Sequence, residues 1–287
     1  MSQSDDRDEV LSPPERPFYA EGVNLDASDF TAEQSYHRGR LARTLAYLHG
    51  SGTAAGLEVS YKVDKDELQV DPGLAIDPFG RLVEVPRLAC INLKRWYEWN
   101  PPPEKDSGKE ENWRIRRLNE SWRDADGGFV RGVHAALLLR FHACPQGRTP
   151  AFAAGPYDAL SATVPHRTRD SYALELRLRG TDAIPKPDNL WPTPARGQSF
   201  EDWRAAVHTR ILGAWKGNEE KTPPDIFLAQ VVIPTAPAPA LAADAAVTLA
   251  HRPVRTVGAA VPHYEADRPF VYPTAALIRW LEGPQNA

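Results

Sequence analysis

Residues 57–85 have the sequence LEVSYKVDKDELQVDPGLAIDPFGRLVEV, and this stretch decides the fold class. Apolar and polar residues alternate at its start and again in residues 68–76 and 83–85, which is the pattern of strands with one buried face. Between the last two segments, the Asp-Pro-Phe-Gly of residues 77–80 has the composition of a tight turn. Residues 53–86 are therefore predicted to form a small antiparallel meander.

A helix is predicted immediately before these strands, over residues 32–48. Thr31 and Gln34 have the spacing of a capping box, in which side chains satisfy the first backbone N–H groups of a helix. The predicted buried face carries four apolar residues at helical spacing: Tyr36, Leu41, Leu45 and Leu48. The fold class is accordingly predicted as α+β, with an N-terminal helix packed on a small antiparallel sheet.

The sequence of the second half of the chain predicts a second β-rich region with a decorating helix. Apolar patterns indicate strands at residues 132–142, 171–179 and 226–233. A second helix is predicted over residues 199–216, where Ser199 and a carboxylate three residues later favour a start. Its predicted buried face consists of Phe200, Trp203, Val207, Ile211 and Trp215.

Changes in composition divide the chain into four predicted segments. They are a flexible N-terminal arm (1–20), a helix-plus-meander domain (21–99), an insertion or long loop (100–128) and the second β-rich region (129–287). The arm is charged and then proline-rich, which disfavours independent folding. Proline accounts for 27 of the 287 residues, well above the roughly 5% that is typical, so long loops are expected.

Charge and hydropathy exclude several classes of protein. The chain has 34 Lys and Arg against 38 Asp and Glu, a net charge of -4 that argues against a general nucleic-acid binder. Its uncharged apolar runs stop far short of the ~18 to 20 residues that span a bilayer. Because the N-terminus is acidic and polar where a signal peptide is basic and then apolar, we expect cytoplasmic synthesis and no membrane insertion.

No pattern of catalytic, metal-binding or cofactor-binding residues stands out. The HExxH, GxSxG and GxxxxGK motifs are absent. His142 and Cys144 alternate along a predicted strand and have a spacing that can chelate a metal, but no third ligand has a recognisable spacing. We therefore expect these two residues to pack in the structure, and we predict no catalytic residue, no cofactor and no metal, hence no enzyme.

Exposed aromatic residues are the best candidates for contacts with other molecules. They are Phe18 and Tyr19 at the end of the arm, and Trp96, Trp99, Trp113 and Trp122 in and beside the predicted insertion. Tryptophan is common both at protein interfaces and in sites that stack on sugar rings. An interface is favoured, and the alternative is a carbohydrate-binding module or carbohydrate-active enzyme that uses residues 96–122. A hydrolase with an unrecognised His/Asp site is a further rival.

Three stretches of the N-terminal half together resemble a known group of proteins. They are GVNLDASDFTAEQSYHR at residues 22–38, LHGSGTAAGLEV at 48–59 and VDPGLAIDPFGR at 70–81. The chain resembles proteins encoded among the structural components of contractile phage tails and related contractile injection systems. The matching positions are Gly22, Leu25, Asp29, Phe30, Glu33, Gln34, Tyr36, His37, His49, Gly50, Gly52, Gly56, Leu57, Val59, Pro72, Gly73, Ala75, Asp77, Gly80 and Arg81.

This resemblance implies a non-enzymatic structural subunit of a contractile tail-like particle. Within such a particle, we expect a baseplate-peripheral or fibre-attaching adaptor, because the chain lacks the long repetitive shaft of a fibre. The implied partners are baseplate, sheath, tube or fibre proteins and further copies of the same chain. The resemblance carries no catalytic residues.

Overall fold

The computed structural model describes seven parts of the chain: residues 15–99, 113–124, 129–150, 163–179, 195–214, 224–237 and 249–277. The prediction of an α+β fold is confirmed. An N-terminal helix is followed by small antiparallel sheets and then by a second β-rich region with a helix. Most of the predicted N-terminal arm lies outside the described residues. No helix in the described parts is both long and apolar enough to cross a membrane.

Six short strands build two three-stranded antiparallel sheets, so the prediction of a single meander is wrong. The first sheet contains β1 (Gly52–Gly56), β4 (Gly73–Ile76) and β5 (Leu82–Val85), and the second contains β2 (Val59–Lys62), β3 (Glu67–Val70) and β6 (Ala89–Asn92). The chain turns from one sheet to the other at Leu57, which has a φ of 61°. It returns beside this corner, where a Cβ atom on Gly73 would lie 2.3 Å from the carbonyl oxygen of Ala55.

The first helix, α1 (Ala27–His49), begins earlier than predicted because Asp26 caps it. The Asp26 carboxylate accepts hydrogen bonds from the backbone N–H groups of Ser28 and Asp29, at 2.7 and 3.4 Å. The Asp29 side chain accepts in return from the backbone N–H of Asp26 at 2.9 Å. The capping box predicted at Thr31 is therefore wrong, since the Thr31 hydroxyl lies inside the helix and donates to the carbonyl of Ala27.

The predicted buried face of α1 is also wrong. The buried residues of α1 are Gly39 and Ala42, whereas Leu41 and Leu48 are 55% and 70% exposed. The reason is a very close contact with the turn at Asp77–Gly80. A Cβ atom on Gly80 would lie 1.7 Å from the carbonyl oxygen of Ala42, so only small residues fit at this contact.

The turn itself forms as predicted and is held by a buried carboxylate. Oδ1 of Asp77 accepts hydrogen bonds from the backbone N–H groups of Phe79 and Arg81, at 2.9 and 2.8 Å. Its other oxygen, Oδ2, accepts from Nε of Arg81 at 2.7 Å. Burial raises the pKa of Asp77, and the hydrogen bonds and charge of Arg81 oppose this rise.

The second β-rich region is a central antiparallel sheet. Its strands are β7 (Trp122–Arg123), β8 (Gly132–Gln146), β11 (Arg167–Leu178), β12 (Asp225–Ile233) and β13 (His263–Tyr264). They lie in the order β11-β8-β12-β13, with β7 paired to β8. Beyond the sheet, β9 (Thr149–Pro150) and β10 (Thr163–Val164) extend the β8–β11 hairpin. The three predicted strands of this region are confirmed, and β8 and β11 start or end a few residues beyond the predicted bounds.

One hydrophobic core joins the central sheet to the two N-terminal sheets. Its fully buried members come from the corner and strands of the small sheets, the helices beside them, and strands β8 and β12. They include Leu57, Leu68, Val70, Val83, Leu93, Leu118, Leu137, Leu139, Ile226, Leu228 and Ile233. Fully burying each such side chain contributes roughly 1.5–3 kcal/mol.

The described parts of the chain also contain the helices α2 (Leu93–Glu98), α3 (Trp113–Glu120) and α4 (Phe200–Ala214). Residues 113–123 of the predicted insertion form α3 and β7, and Ile115 and Leu118 of α3 are fully buried. Helix α4 confirms the predicted second helix, but its predicted face is not buried. Phe200 and Ile211 are 69% and 52% exposed, and Trp215 lies outside the described residues.

Candidate interaction sites

The first candidate site lies where α2 and α3 meet. Helix α2 begins at Asn92, whose Oδ1 accepts from the backbone N–H of Arg95 at 2.9 Å. Leu93 and Tyr97 lie one turn apart and are buried in the core. This anchoring leaves Trp96 half-buried and places Trp99, which is 59% exposed, at the end of the helix.

Arg114 of α3 lies against both tryptophans. Its Cζ atom is 4.6 Å from the centroid of the Trp96 ring and 5.9 Å from that of Trp99, within the range of cation–π attraction. Nη2 of Arg114 donates to the carbonyl of Trp96 at 2.8 Å. The residue is only 6% exposed, and its Nε is buried without a hydrogen-bond partner. A charged group is therefore buried here with few of its donors used.

A second arginine, Arg252, is held near this point by its two neighbours in the chain. The carbonyl of His251 accepts from the side-chain amide of Asn119 at 2.7 Å, and the carbonyl of Pro253 accepts from the Tyr97 hydroxyl at 2.8 Å. The Nε of Arg252 is also buried without a partner. The two hydrogen bonds therefore fix Arg252 between α2 and α3.

The electrostatics of this cluster are unfavourable for positive charge. Burial lowers the pKa of Arg114, and the positive charge of Arg252 lowers it further. Burial also raises the pKa of Tyr97, so its hydroxyl stays protonated and donates its hydrogen bond. We name Arg114, Arg252, Trp96 and Trp99 the arginine–tryptophan site.

Two other buried arginines have carboxylate partners. Arg255 forms two hydrogen bonds to the carboxylate of Asp66, which also accepts from the Tyr61 hydroxyl at 2.7 Å. Arg268, 6% exposed, donates to the hydroxyl of Thr53 at 2.9 Å and to the carbonyl of Leu57 at 2.8 Å. Its remaining terminal nitrogen lies 3.2 Å from the carboxylate of Glu265. These pairs tie the C-terminal segment to the two small sheets.

The second candidate site is an apolar stripe on α1. Phe30, Leu41 and Leu48 are 52%, 55% and 70% exposed. At 100° per residue, their spacings of eleven and seven residues place them on one side of the helix, roughly opposite Gly39 and Ala42. We name these three residues the α1 stripe.

The end of the predicted arm lies beside this helix. Phe18 is 86% exposed, and the hydroxyl of Tyr19, which is 49% exposed, donates a hydrogen bond to the carboxylate of Glu33. This bond raises the pKa of Tyr19. A groove of about 130 Å³ adjoins the stripe at Leu41 and is lined by residues that include Leu41, Leu45, Leu82 and Phe141. The stripe and the groove thus share Leu41.

The structure separates the predicted interface residues into different environments. Phe18, Tyr19 and Trp99 are exposed, whereas Trp96, Trp113 and Trp122 are half-buried. Trp96 and Trp99 come together at Arg114, while Trp122 pairs with Val133 of β8 and packs partly on the core. The Arg114 guanidinium lies against both rings, and Trp99 is the more exposed of the two. Stacking of these tryptophans on a sugar stays a prediction.

Sequence reasoning missed the arginines of the first site and the α1 stripe. One signal for Arg114 was present: it stands four residues before Leu118, which places both on the same helix face. Arg252 had no such signal, since it lies in an irregular segment after a short 3₁₀ helix at Leu249–His251. Two residues of the stripe, Leu41 and Leu48, were predicted to be buried because apolar spacing alone does not show what covers a side chain.

A metal site has little geometric basis in the described parts of the chain. No three His, Cys, Asp or Glu residues there lie close enough together to hold an ion. His142 and Cys144 are half-buried on β8, where their register partners are Ser171 and Arg169 of β11. Their packing role stays a prediction.

Comparisons with known proteins give little guidance. No protein-family model matches the chain, and no curated protein matches it as a relative. Among solved structures, "Crystal structure of TssK" is similar at a TM-score of 0.26 and 13% sequence identity, covering 61% of this chain. The matched part spans 36% of that protein. At this TM-score the similarity is weak and carries no argument about function.

Proposed function

We propose that this chain is a non-enzymatic structural subunit of a contractile tail-like particle, either a phage tail or a contractile injection system. In this proposal it is a baseplate-peripheral or fibre-attaching adaptor that is made in the cytoplasm and assembled with other particle subunits. The motifs in residues 22–81 support the assignment to such a particle, because they resemble those of contractile-tail structural proteins. The main observation that supports the assembly role is the α1 stripe.

Leaving the apolar side chains of the stripe exposed to water is unfavourable for a chain that acts alone. A helix that packs on its own domain normally buries its apolar side and exposes its polar side. In α1 the small residues Gly39 and Ala42 are buried, while Phe30, Leu41 and Leu48 are more than half exposed. Exposed apolar side chains aligned along one side of a helix are characteristic of a surface that packs against a partner helix. Spacings of seven and eleven residues suit contact with a helix of a neighbouring subunit.

Retention in assembled particles tests the proposal. The double variant Leu41→Asp/Leu48→Asp places two charges on the α1 stripe. The matched control, Thr31→Asp/Ala32→Asp, adds the same charge at exposed positions of α1 away from the stripe. Each tagged variant is expressed with the other particle genes, and the tag is then quantified in sedimented particles.

We expect the control to sediment with particles as the wild type does and the stripe variant to stay in the supernatant. Fully desolvated interface charges without partners cost several kcal/mol, enough to lose most of the bound subunit. If the stripe variant sedimented with particles as well as the wild type does, the stripe would not be part of the interface. A wild-type chain that never sediments with particles would refute the assembly role itself.

A further inference from the structure

The arginine–tryptophan site contains two positive charges that no carboxylate in the described parts of the chain neutralises. Nε of Arg114 and Nε of Arg252 are both buried without a hydrogen-bond partner. In the described parts of the chain, the only hydrogen bond made by either guanidinium runs from Arg114 to the carbonyl of Trp96. Neither arginine forms an ion pair there with a carboxylate, whereas Arg255 and Arg268 each do.

Such an arrangement is expensive to keep in a folded protein, above all at Arg114, which is buried, and less so at Arg252, which is half-buried. Buried charges in proteins are normally paired, because removing an ion from water costs several kcal/mol. A guanidinium does not escape this cost by losing its proton in the physiological pH range. The two arginines also repel each other, and Trp96 and Trp99 offset only part of this through cation–π attraction.

We propose that Arg114 and Arg252 together bind one oxyanion, a carboxylate or a phosphate. Each guanidinium presents planar N–H donors that match the oxygens of these groups, and two such forks suit one anion held between them. The hydrogen bonds from Asn119 and Tyr97 to the neighbours of Arg252 hold the site in place before the anion arrives. The exposed ring of Trp99 borders the site on the solvent side.

Anion-dependent stabilisation of the isolated chain tests this site. The melting temperature is measured while inorganic phosphate or a tetraglutamate peptide replaces chloride at constant ionic strength. Four proteins are compared: wild type, Arg252→Gln, Arg114→Met and Arg87→Gln. Arg87 is exposed and has no described ion pair, so its replacement removes the same charge elsewhere.

We expect wild type and Arg87→Gln to gain about 2 °C or more at saturating anion, since a ligand that binds only the folded state raises its stability. Arg252→Gln, at a half-exposed position, should weaken binding about tenfold or more through loss of a charge-assisted hydrogen bond. Arg114→Met should abolish the shift. A larger shift with phosphate identifies a phosphate ligand, and a larger shift with tetraglutamate identifies a carboxylate.

Two results would overturn the site. One is a wild-type melting temperature that neither anion changes beyond the effect of chloride. The other is an Arg252→Gln protein that keeps the full shift, because the anion would then bind elsewhere. The measurement needs no particle, so its outcome is independent of the proposed assembly role.

Discussion

Arg268 and Arg114 are equally buried, at 6% exposure each, yet their surroundings differ completely. Every guanidinium nitrogen of Arg268 has a partner: Thr53, Leu57 or Glu265. Arg114 has one hydrogen bond, two aromatic neighbours and a second arginine close by. A buried guanidinium whose three nitrogens all have partners holds a fold together, whereas one with an unpartnered nitrogen is available to a ligand.

Their positions in the fold agree with these two roles. Arg268 lies where the C-terminal segment runs beside Thr53, so it links parts of the chain that are more than two hundred residues apart. Backbone hydrogen bonds from Thr53 to Pro269 and from Val271 to Thr53 reinforce this contact. Arg114 lies beside Trp99, whose ring is open to solvent.

The largest effect should come from replacing Arg268 by methionine, with the same replacement at Arg114 as the comparison. Arg268→Met should lower the free energy of unfolding by about 3–5 kcal/mol, because it leaves a carbonyl, a hydroxyl and a carboxylate without their donor. Arg114→Met should change it by less than about 1 kcal/mol, since removing an unpaired buried charge offsets the lost hydrogen bond. Urea denaturation measures both. Equal losses for the two variants would contradict the comparison.

Asp66→Asn tests the same distinction by turning a paired arginine into an unpaired one. The substitution leaves Arg255 buried without its charge partner and should cost about 2 kcal/mol. Burial raises the pKa of Asp66, but the hydrogen bonds from Arg255 and Tyr61 outweigh this and lower it below 3.8. The pair therefore stabilises the fold at neutral pH and is lost as the pH falls below 3.8. Wild-type stability should fall more steeply than that of Asp66→Asn between pH 5 and pH 3.

A smaller effect is expected on α1, where the structure revises the sequence-based expectation. A fully buried Leu45 would make Leu45→Asp cost several kcal/mol, but Leu45 is only half-buried at the groove. We therefore expect a loss of about 1–2 kcal/mol for Leu45→Asp and less than about 0.5 kcal/mol for Leu41→Asp. Thermal or urea denaturation separates them. Equal destabilisation would mean that the stripe packs within the chain.

The smallest expected effect is that of metal removal. Arginine side chains are not ligands for a metal cation, and the described residues provide no triad of His, Cys, Asp or Glu that could hold one. Chelation should therefore leave the melting temperature unchanged, and elemental analysis should find no stoichiometric zinc or iron. About one metal per chain that disappears in His142→Ala would show that His142 and Cys144 are ligands.

The elements of the fold were largely predictable because they depend on local chemistry. Apolar patterns identified the strands of the central sheet. Asp77 and Gly80 identified the turn between β4 and β5, since Asp accepts hydrogen bonds from nearby backbone N–H groups and Gly tolerates a φ of 82°. The start of α1 was missed because Asp26 and Thr31 both precede an acceptor three residues later. Only the observed hydrogen bonds distinguish the two caps.

Periodicity in the sequence determined that α1 is a helix with one apolar side, and that the chain is α+β. Only the tertiary structure decided which side of α1 is buried, because the backbone of α1 at Ala42 lies directly against Gly80, and apolar spacing does not encode a backbone contact. The split of the strands into two sheets likewise depends on the corner at Leu57 meeting the backbone of Pro72. The arginine–tryptophan site required both α2 and the segment after Leu249–His251 to reach α3. Contacts between residues so distant in the chain depend on packing of the whole core, which local patterns do not encode.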